Sequence, residues 1–337
     1  MAAYTTIDDP TAYFQTKTYT GTGSSNAFTL DGNSNLQPDW VWIKHRAEAH
    51  NHYLYDSVRG VQLKVSSNTN AGEINMGSGS DAGLTAFGSN GFTIGGDTDE
   101  NASSESYVAW NWKESATAGF DICSWTGNGS AQNISHNLSK VPTMIIVKNR
   151  TDSGADWYCY NVHIGNTHSI LLNTSGAKVG AYSDNWNDTT PTSSVFTVGS
   201  SNSTGGSSSD NMIAYVFTDI QGYSKFGSYI GNGSTNGTYV HLGFKPSFFM
   251  AKRIDASDMP WVMIDNKRNS FNPLSNTLLA NSNEAANTGT DRADFLSQGV
   301  KIRTNSTAWN ASGASFIFMA FAENPFVTSS GVPACAR

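Results

Sequence analysis

The feature that most constrains the fold is a segment that occurs three times at one fixed spacing. Each copy contains a proline, an apolar run and then a lysine: "LQPDWVWIKHR" at 36–46, "LSKVPTMIIVKNR" at 138–150 and "LGFKPSFFMAKR" at 242–253. The prolines lie at equal steps, since 142 − 38 = 104 and 246 − 142 = 104. The lysines keep the same step, so one building block has been used three times within the chain.

Other landmarks keep nearly the same spacing. The units open on "YTGTG" (19–23), "WTGNG" (125–129) and "YIGNG" (229–233), and they close on "YVAWNWKE" (107–114), "MIAYVFTD" (212–219) and "FIFMAFAE" (316–323). Solenoid repeats are shorter, about 20–50 residues. A period near 104 instead matches the roughly 100 residues of a β-sandwich domain.

The composition favours strands over helices. Charged residues make up 14% of the chain and aromatic residues 12%, whereas ordinary globular proteins carry about 25% charged residues. Long helices are rich in charged and small residues, whereas aromatic residues with polar turns suit strands. We therefore predict an all-β fold with three tandem β-sandwich domains of about 104 residues each. The predicted boundaries are an N-terminal arm at 1–16, domains at 17–117, 118–222 and 223–324, and a C-terminal tail at 325–337.

The repeated segment itself predicts a buried strand. A proline at the first position of a strand costs no ladder hydrogen bond, and a continuous apolar run indicates that both faces are covered. Lys44, Lys148 and Lys252 are predicted to mark the point where the strand leaves the core, with packed stems and ammonium groups in water.

Charge and hydropathy disfavour several classes of partner. The net charge is −7 and no lysine or arginine run occurs, so we expect no nucleic-acid partner. No apolar stretch approaches the roughly 20 residues of a membrane span, and the first residues lack the pattern of a secretory signal. The cysteines Cys123, Cys159 and Cys335 form no C-x-x-C pair, which favours buried free thiols in a protein made in a reducing cytoplasm.

Catalytic and metal sites are not predicted. The acidic position after the Tyr/Trp strand is Asp56, Asn161 or Asp265 in the three copies, and an asparagine cannot exchange a proton in general acid–base catalysis. We therefore expect a non-enzyme without a cofactor.

One segment, "KHRAEAHNH" (44–52), brings His45, His50 and His52 close to Glu48. These residue types are able to hold a metal, but no matching ligand set recurs in the other copies. A polar hairpin loop without a metal is the favoured interpretation.

Two tryptophans in polar loops are the candidates for a sugar-binding site. Trp186 lies between Asn185 and Asp188, and Trp309 precedes Asn310. An indole ring framed by amides and carboxylates suits the apolar face and the hydroxyls of a sugar. The alternative is a loop tryptophan folded back onto its own domain, as tryptophan is highly buried on average.

The unit pattern resembles a repeat domain of virion structural proteins of marine tailed phages, including large fibre-like proteins of cyanophages and pelagiphages. The motifs are "Y/W-x-G-x-G", then "L…P…K-x-R", then an aromatic strand, with "YTTIDDPTAYFQT" at the start and "FMAFAENPF" near the end. This resemblance extends over nearly the whole chain. It implies lectin-like, jelly-roll β-sandwiches on the outside of a particle, and it carries no catalytic residue.

From the residues and this resemblance we expect an exterior protein of a phage virion, assembled in the host cytoplasm. The expected role is a tail fibre or receptor-binding component, or else a capsid fibre or decoration protein. Expected partners are other virion proteins, gripped by the two terminal arms, and a host surface glycan. The expected state is a homotrimer or a monomer with pseudo-threefold symmetry. The alternatives are a free carbohydrate-binding lectin and a glycan-degrading enzyme.

Overall fold

The computed structural model describes residues 3–80 and 82–334 and is built almost entirely of antiparallel strands. The all-β prediction is confirmed. Within the described ranges, the α-helices are single turns of four residues, and no helix is long and apolar enough to cross a membrane. We call residues 17–117, 118–222 and 223–324 units 1, 2 and 3.

The elements follow a similar sequence in each unit, except that the helix of unit 2 comes before the last strand of the small sheet and the helices of units 1 and 3 come after it. Unit 1 and the segment before it contain a 3₁₀ turn (Pro10–Ala12), β1 (Phe14–Thr20), β2 (Asn26–Thr29), β3 (Trp40–His45), β4 (His52–Asp56), β5 (Leu63–Lys64), β6 (Ile74–Asn75), β7 (Leu84–Gly88), β8 (Gly91–Ile94), α1 (Thr98–Asn101) and β9 (Ser106–Trp112). Unit 2 contains β10 (Phe120–Thr126), β11 (Gln132–Ser135), β12 (Met144–Asn149), β13 (Tyr158–Asn161), β14 (His168–Leu171), β15 (Val179–Gly180), α2 (Ser183–Trp186), β16 (Val195–Val198) and β17 (Asn211–Phe217). Unit 3 contains β18 (Ser224–Ile230), β19 (Tyr239–His241), β20 (Phe244–Arg253), β21 (Val262–Asp265), β22 (Leu278–Leu279), β23 (Ala293–Leu296), β24 (Gly299–Ile302), α3 (Thr307–Asn310) and β25 (Ser315–Pro325).

Each unit has one large sheet with the same strand order. The sheets begin β1-β9-β3-β4 in unit 1, β10-β17-β12-β13 in unit 2 and β18-β25-β20-β21 in unit 3. A smaller sheet accompanies each one: β2-β8-β7, β11-β16 and β19-β24-β23. In every unit the strand that carries the repeated apolar run (β3, β12 or β20) lies between the unit's last strand and the strand that comes next in sequence. This position makes it central in the sheet and explains its continuous apolar sequence.

The two faces of each large sheet belong to different cores. In β3, Trp40 and Trp42 lie in one apolar cluster, whereas Val41 and Ile43 lie in another with Phe28 of the small sheet. The same alternation occurs in β12 and β20. The large and small sheets of each unit therefore form a β-sandwich with its own outer core, and both faces of the repeated strand are covered, as predicted.

The inward faces of all three large sheets pack into one continuous cluster, which we call the central core. It contains, among others, Trp40, Trp42, Trp110 and Trp112 of unit 1, Ile146, Trp157 and Tyr215 of unit 2, and Met250, Trp261 and Phe321 of unit 3. Burying a large apolar side chain stabilises a fold by about 1.5–3 kcal/mol. Because the units share this core, the division into three separate domains stays a prediction.

Main-chain hydrogen bonds between the units close a ring. A loop of each unit donates to the residue two positions after the buried lysine of the next unit, and the acceptors keep the spacing of the repeat, since 150 − 46 = 104 and 254 − 150 = 104. The bonds are Glu73 N to Arg150 O (2.7 Å), Lys178 N to Ile254 O (3.0 Å) and Ala286 N to Arg46 O (2.8 Å). We call the junction of units 1 and 2 seam A, that of units 2 and 3 seam B, and that of units 3 and 1 seam C.

The repeated lysines require a correction. Lys44, Lys148 and Lys252 are fully buried, so their ammonium groups are not in water. Their Nζ atoms donate to main-chain oxygens, for example Lys148 to Ala155 O at 2.7 Å. Burial lowers the pKa of each lysine to about 8. The prediction was wrong because the neighbouring loops close over the ends of these strands.

The repeated prolines and glycines are structural. Pro38 and Pro142 precede their strands, but Pro246 lies inside β20, at a shift in register with β25, where a missing N–H is tolerated. The second glycine of each opening motif has a positive φ: +69° at Gly23, +71° at Gly129 and +69° at Gly233. Glycine adopts this conformation without strain, which explains why the motif recurs.

The terminal segments pack on their own chain wherever the structure describes them. Ile7 is part of the central core, and the Tyr4 hydroxyl donates to Gly243 O at 2.6 Å. Asp8 accepts a hydrogen bond from Ser329 N at 2.6 Å, so the two segments also contact each other. Residues 3–16 and 325–334 are therefore not free arms. Cys123 and Cys159 are buried free thiols, as predicted, and Cys335 lies outside the described residues.

Candidate functional site

Trp186 lies in the outer core of unit 2 and is 2% exposed. Its Nε1 donates to Ser169 Oγ at 2.8 Å, and the edge of its ring contacts Tyr160. Asn185 is also buried, and its carbonyl accepts from Thr204 Oγ1 at 2.9 Å. Only Asp188 of this group is exposed. The single turn of α2 turns the indole inward, away from solvent.

Trp309 is likewise 2% exposed and belongs to the outer core of unit 3. The Asn310 side chain accepts from Asn232 N at 2.9 Å and donates to Ser234 O at 2.8 Å. Asn101 of unit 1 makes the corresponding bonds: it accepts from Thr22 N and donates to Ser24 O, at 2.9 and 2.7 Å. Asn310 therefore holds the Gly-rich opening turn of its unit.

These positions correct the sugar-site expectation. Both indole rings are 2% exposed, so stacking a sugar on Trp186 or Trp309 requires the outer cores to open, although Trp309 is among the residues that line a cavity of about 180 Å³. The alternative interpretation, in which each loop tryptophan folds back onto its own unit, fits both positions. In the sequence, polar residues flank each tryptophan, which suggests an exposed ring. In the structure a one-turn helix points each ring into an outer core, and the flanking residues alone do not predict that turn.

The histidine segment brings three possible metal ligands within 4.8 Å of one another: His45, Glu48 and His50. The two imidazole rings stack with centroids 4.8 Å apart. His52, the third histidine of the segment, lies apart from them and accepts from Trp42 Nε1 at 2.8 Å. The structure therefore groups two of the three histidines with the glutamate.

The hydrogen bonds of His45 do not favour metal binding. Its Nδ1 accepts from the main-chain N–H groups of Ala47 and Glu48, at 3.2 and 3.1 Å, and this leaves the ring proton on Nε2. Burial lowers the pKa of His45 to about 4, so the ring is neutral at pH 7. A metal would have to displace either that proton or the two main-chain bonds. We assign no metal here.

A more open site lies at seam C. A cavity of about 480 Å³ is bordered by Lys245, Asn266, Lys267, Asn269, Phe271 and Glu323. A second cavity of about 220 Å³ shares Asn266, Lys267 and Glu323 with the first and extends to Asp31 in unit 1. We call the two together the seam C groove. The larger cavity is lined by unit 3 alone, whereas the smaller one is also lined by residues from 11–16 and 31–33, so only the smaller cavity depends on the closure of the ring.

The outer wall of this groove is a loop insertion. Strand pairing makes Val65, Ile170 and Leu278 equivalent, because they face Leu54, Cys159 and Met263 in the three units. From the acidic position to this residue there are eight residues in unit 1 (57–64), eight in unit 2 (162–169) and twelve in unit 3 (266–277). The loop that contains the four extra residues also contains Phe271, whose side chain is 86% exposed. This loop was not predicted from the sequence, although the difference in loop length between the three copies is visible there.

A carboxyl pair lies between units 1 and 2. Burial and a hydrogen bond with Asp121 raise the pKa of Glu114 to about 7. Asp121 also accepts from Asn137 N at 2.6 Å. Burial tends to raise the pKa of Asp121, but hydrogen bonds outweigh it and lower that pKa, so Glu114 is the one of the two carboxyl groups that binds a proton first.

The sequence matches the model of a family described as "Domain of unknown function (DUF7483)" over residues 9–325. The chain belongs to this family. Among curated proteins no relative matches it. The DUF7483 match covers all three units as one stretch, in keeping with the shared central core.

Proposed function

We propose that this DUF7483 protein is a non-enzymatic exterior protein of a phage particle that acts in receptor binding or decoration. The proposal rests on the resemblance of the repeated unit to virion fibre domains. The observation that carries it furthest is the closed ring of three β-sandwiches around one core. Such a body is stiff, because no unit can separate without exposing the central core to water.

The ring also favours a monomer with internal threefold arrangement over a homotrimer. Symmetric oligomers bury the same patch on every subunit. In this chain the equivalent patches, seams A, B and C, are already buried against one another. The protein is thus expected to elute as a single chain of 36.1 kDa, which light scattering coupled to gel filtration would measure.

The charged groups of the described site support a binding role over catalysis. Burial tends to raise the pKa of Asp31, but hydrogen bonds from Lys267 and Lys17 outweigh it and lower that pKa. A carboxyl group held ionised in this way cannot act as a general acid near neutral pH.

The test is to locate the protein on particles. Virions released from cells that express the gene would be purified, probed by mass spectrometry and labelled with gold-conjugated antibodies against the folded protein. We expect the chain in the purified particles and label on the outside of the head or tail. Absence from purified particles, or label only after disruption, would refute the proposal.

The two alternatives give different results in parallel assays. A free lectin would stay in the particle-free lysate and bind host polysaccharide there. A glycan-degrading enzyme would shorten host polysaccharide chains on incubation, which gel filtration of the polysaccharide would reveal.

A further inference from the structure

We infer that the seam C groove is a binding site for a neutral saccharide, with the ring of Phe271 as the stacking surface. This deepens the proposed receptor-binding role and rests on it for its biological setting. The residues of the groove support it independently of that role.

The exposure of Phe271 is unusual for this chain. Its side chain is 86% exposed, whereas the other exposed large apolar side chains among the described residues reach at most 58%. The corresponding shorter loop of unit 2 carries Val162, which is 45% exposed. A large aromatic ring held in water is unfavourable unless something covers it. The inserted loop thus presents an exposed aromatic ring beside a cavity.

The loop around Phe271 is held in place by its own amide side chains. The Asn272 side chain bonds both main-chain groups of Phe295, donating to O and accepting from N, at 2.9 Å each. The Asn269 side chain accepts from Ser275 N at 3.1 Å and Asn276 N at 2.6 Å. These bonds fix the backbone on both sides of the ring, so a ligand would meet an ordered surface and little ordering entropy would be lost.

The charges beside the ring are balanced. Lys245 pairs with Glu323 at 2.8 Å, and Lys267 pairs with Asp31 at 3.0 Å. Lys17 also bonds Asp31, at 3.2 Å, but it lines neither cavity. The charged residues that line the groove are therefore two lysines and two carboxylates, and an anionic ligand would meet each carboxylate together with its lysine. Paired lysines and carboxylates do supply both donors and acceptors, which is what a set of hydroxyl groups requires.

Ring and charges together define the ligand class. A pyranose presents an apolar C–H face, which suits the Phe271 ring, and hydroxyl groups at its edge, which suit Asn266 and the two ion pairs. A cavity of about 480 Å³ is within the size range of small-ligand sites. An uncharged oligosaccharide fits these features better than a sulfated or sialylated one.

The test measures binding to the full chain by ligand-observed NMR. The probes are neutral tetrasaccharides of glucose, galactose and mannose, with a sulfated and a sialylated oligosaccharide as charged comparisons. At least one neutral probe should bind, and Phe271→Ala should weaken it roughly tenfold. Phe271→Trp should retain or strengthen binding, since the larger ring still stacks.

The matched control is Val162→Ala, which removes an exposed apolar side chain from the equivalent loop of unit 2 and should leave binding unchanged. Because Phe271 is exposed, its substitution should not alter the melting temperature, and a circular dichroism melt would check this. No binding by any neutral probe, equal binding by Phe271→Ala, or a preference for the charged probes would overturn the inference.

The outcomes separate this inference from the proposed function. A chain found on the outside of particles that binds none of the neutral probes leaves the virion assignment intact and removes the saccharide site. A chain absent from particles that still binds through Phe271 removes the virion assignment and supports a free lectin.

Discussion

Seam C and seam B place different side chains at equivalent positions. At seam C, Asp265 accepts from Trp110 Nε1 of unit 1 at 3.2 Å and pairs with Arg268 at 2.6 Å. The position equivalent to Asp265 at seam B is Asn161, and the position equivalent to Arg268 is Ile164, which lies in the central core. One seam is closed by a buried ion pair, and the other by an amide and an apolar side chain.

The strand across each seam explains the difference. Strand pairing makes Trp110, Tyr215 and Met319 equivalent, because they face Trp42, Ile146 and Met250. At seam A the Tyr215 hydroxyl donates to Asp56 at 2.8 Å, just as Trp110 donates to Asp265 at seam C. Met319 has no N–H or O–H donor. A buried carboxylate thus occurs where the facing strand offers a donor, and a neutral amide occurs where it does not.

The comparison indicates that each buried ion pair depends on the side chain that faces it from the next unit, and that the fold does not require the pair. Buried ion pairs often contribute little net stability compared with apolar residues of similar volume, but removing one partner leaves a costly buried charge. Seam B shows that the same backbone closes without the pair. The predictions below test whether the two arrangements are interchangeable.

The largest effect is expected for Asp265→Asn. The substitution leaves the Arg268 guanidinium buried without its carboxylate, and the free energy of unfolding should fall by about 3–5 kcal/mol. Adding Arg268→Ile recreates the residues of seam B and should recover more than half of that loss, because the unpaired charge is gone. Urea unfolding followed by tryptophan fluorescence would measure both variants.

A comparison at seam A is Asp56→Asn, with and without Arg59→Ile, since Arg59 pairs with Asp56 and is buried. Arg59 also pairs with Glu73 at 3.1 Å, so it keeps one carboxylate in Asp56→Asn, and the loss should be smaller than at seam C. If Asp265→Asn cost less than about 1 kcal/mol, or if the double variant were no more stable than the single one, the argument from unpaired charge would fail.

A smaller effect is expected for the reverse change, Asn161→Asp. A carboxylate placed at seam B has neither an arginine on its own unit nor a donor on Met319, so we expect a loss of about 2–4 kcal/mol at pH 7. Burial should raise the pKa of the new carboxyl group above that in the unfolded chain. The folded state then binds the proton more tightly, so the loss should shrink as the pH falls from 7 to 5.

Unfolding of Asn161→Asp and of the unchanged protein at both pH values would measure this difference. The pH dependence separates a charge effect from a packing effect, because a change of shape alone would cost the same at either pH. A loss that stays constant between pH 7 and pH 5 would contradict the explanation.

Much of the sheet structure could be predicted from the sequence. The step of 104 located the central strands β3, β12 and β20, and the apolar run in each indicated cover on both faces. These features are local, since strand propensity and the alternation of side chains act within a few residues. Trp40 and Trp42 of β3, with Trp110 and Trp112 of β9, lie in the central core.

The seams and the site could not be predicted in the same way. That Lys148 is buried follows from a loop of unit 1, whose Asn70 O accepts from its Nζ at 3.2 Å across 78 residues of sequence. The exposure of Phe271 and the burial of Trp186 depend on the path of short loops, where neighbouring residues are equally polar. Such features arise from packing between units, and a pattern read along one chain does not contain them.

The smallest effect concerns the buried lysines and again distinguishes the seams. Lys148 and Lys252 donate to carbonyl groups across seams A and B, those of Asn70 and Ser175. Lys44 instead donates to His45 O and Glu48 O within its own unit. Replacing Lys148 or Lys252 by methionine should therefore loosen a seam, whereas Lys44→Met should not, and hydrogen exchange of the loop amides at 66–76 and 171–178 would report the loosening.

The same variants carry a pH signature with a defined sign. Burial lowers the pKa of these lysines to about 8, while the pKa in the unfolded chain is about 10.4. Between these values the unfolded state binds more protons, so the free energy of unfolding should rise with pH by up to about 1.4 kcal/mol per unit for each lysine. Each methionine substitution should remove the contribution of one lysine to that rise between pH 8 and 9.5. Urea unfolding at several pH values would measure the difference. If Lys252→Met left the pH dependence of the free energy of unfolding unchanged, this lysine would keep its proton in the folded state. Its ammonium group would then stabilise seam B at every pH in that range.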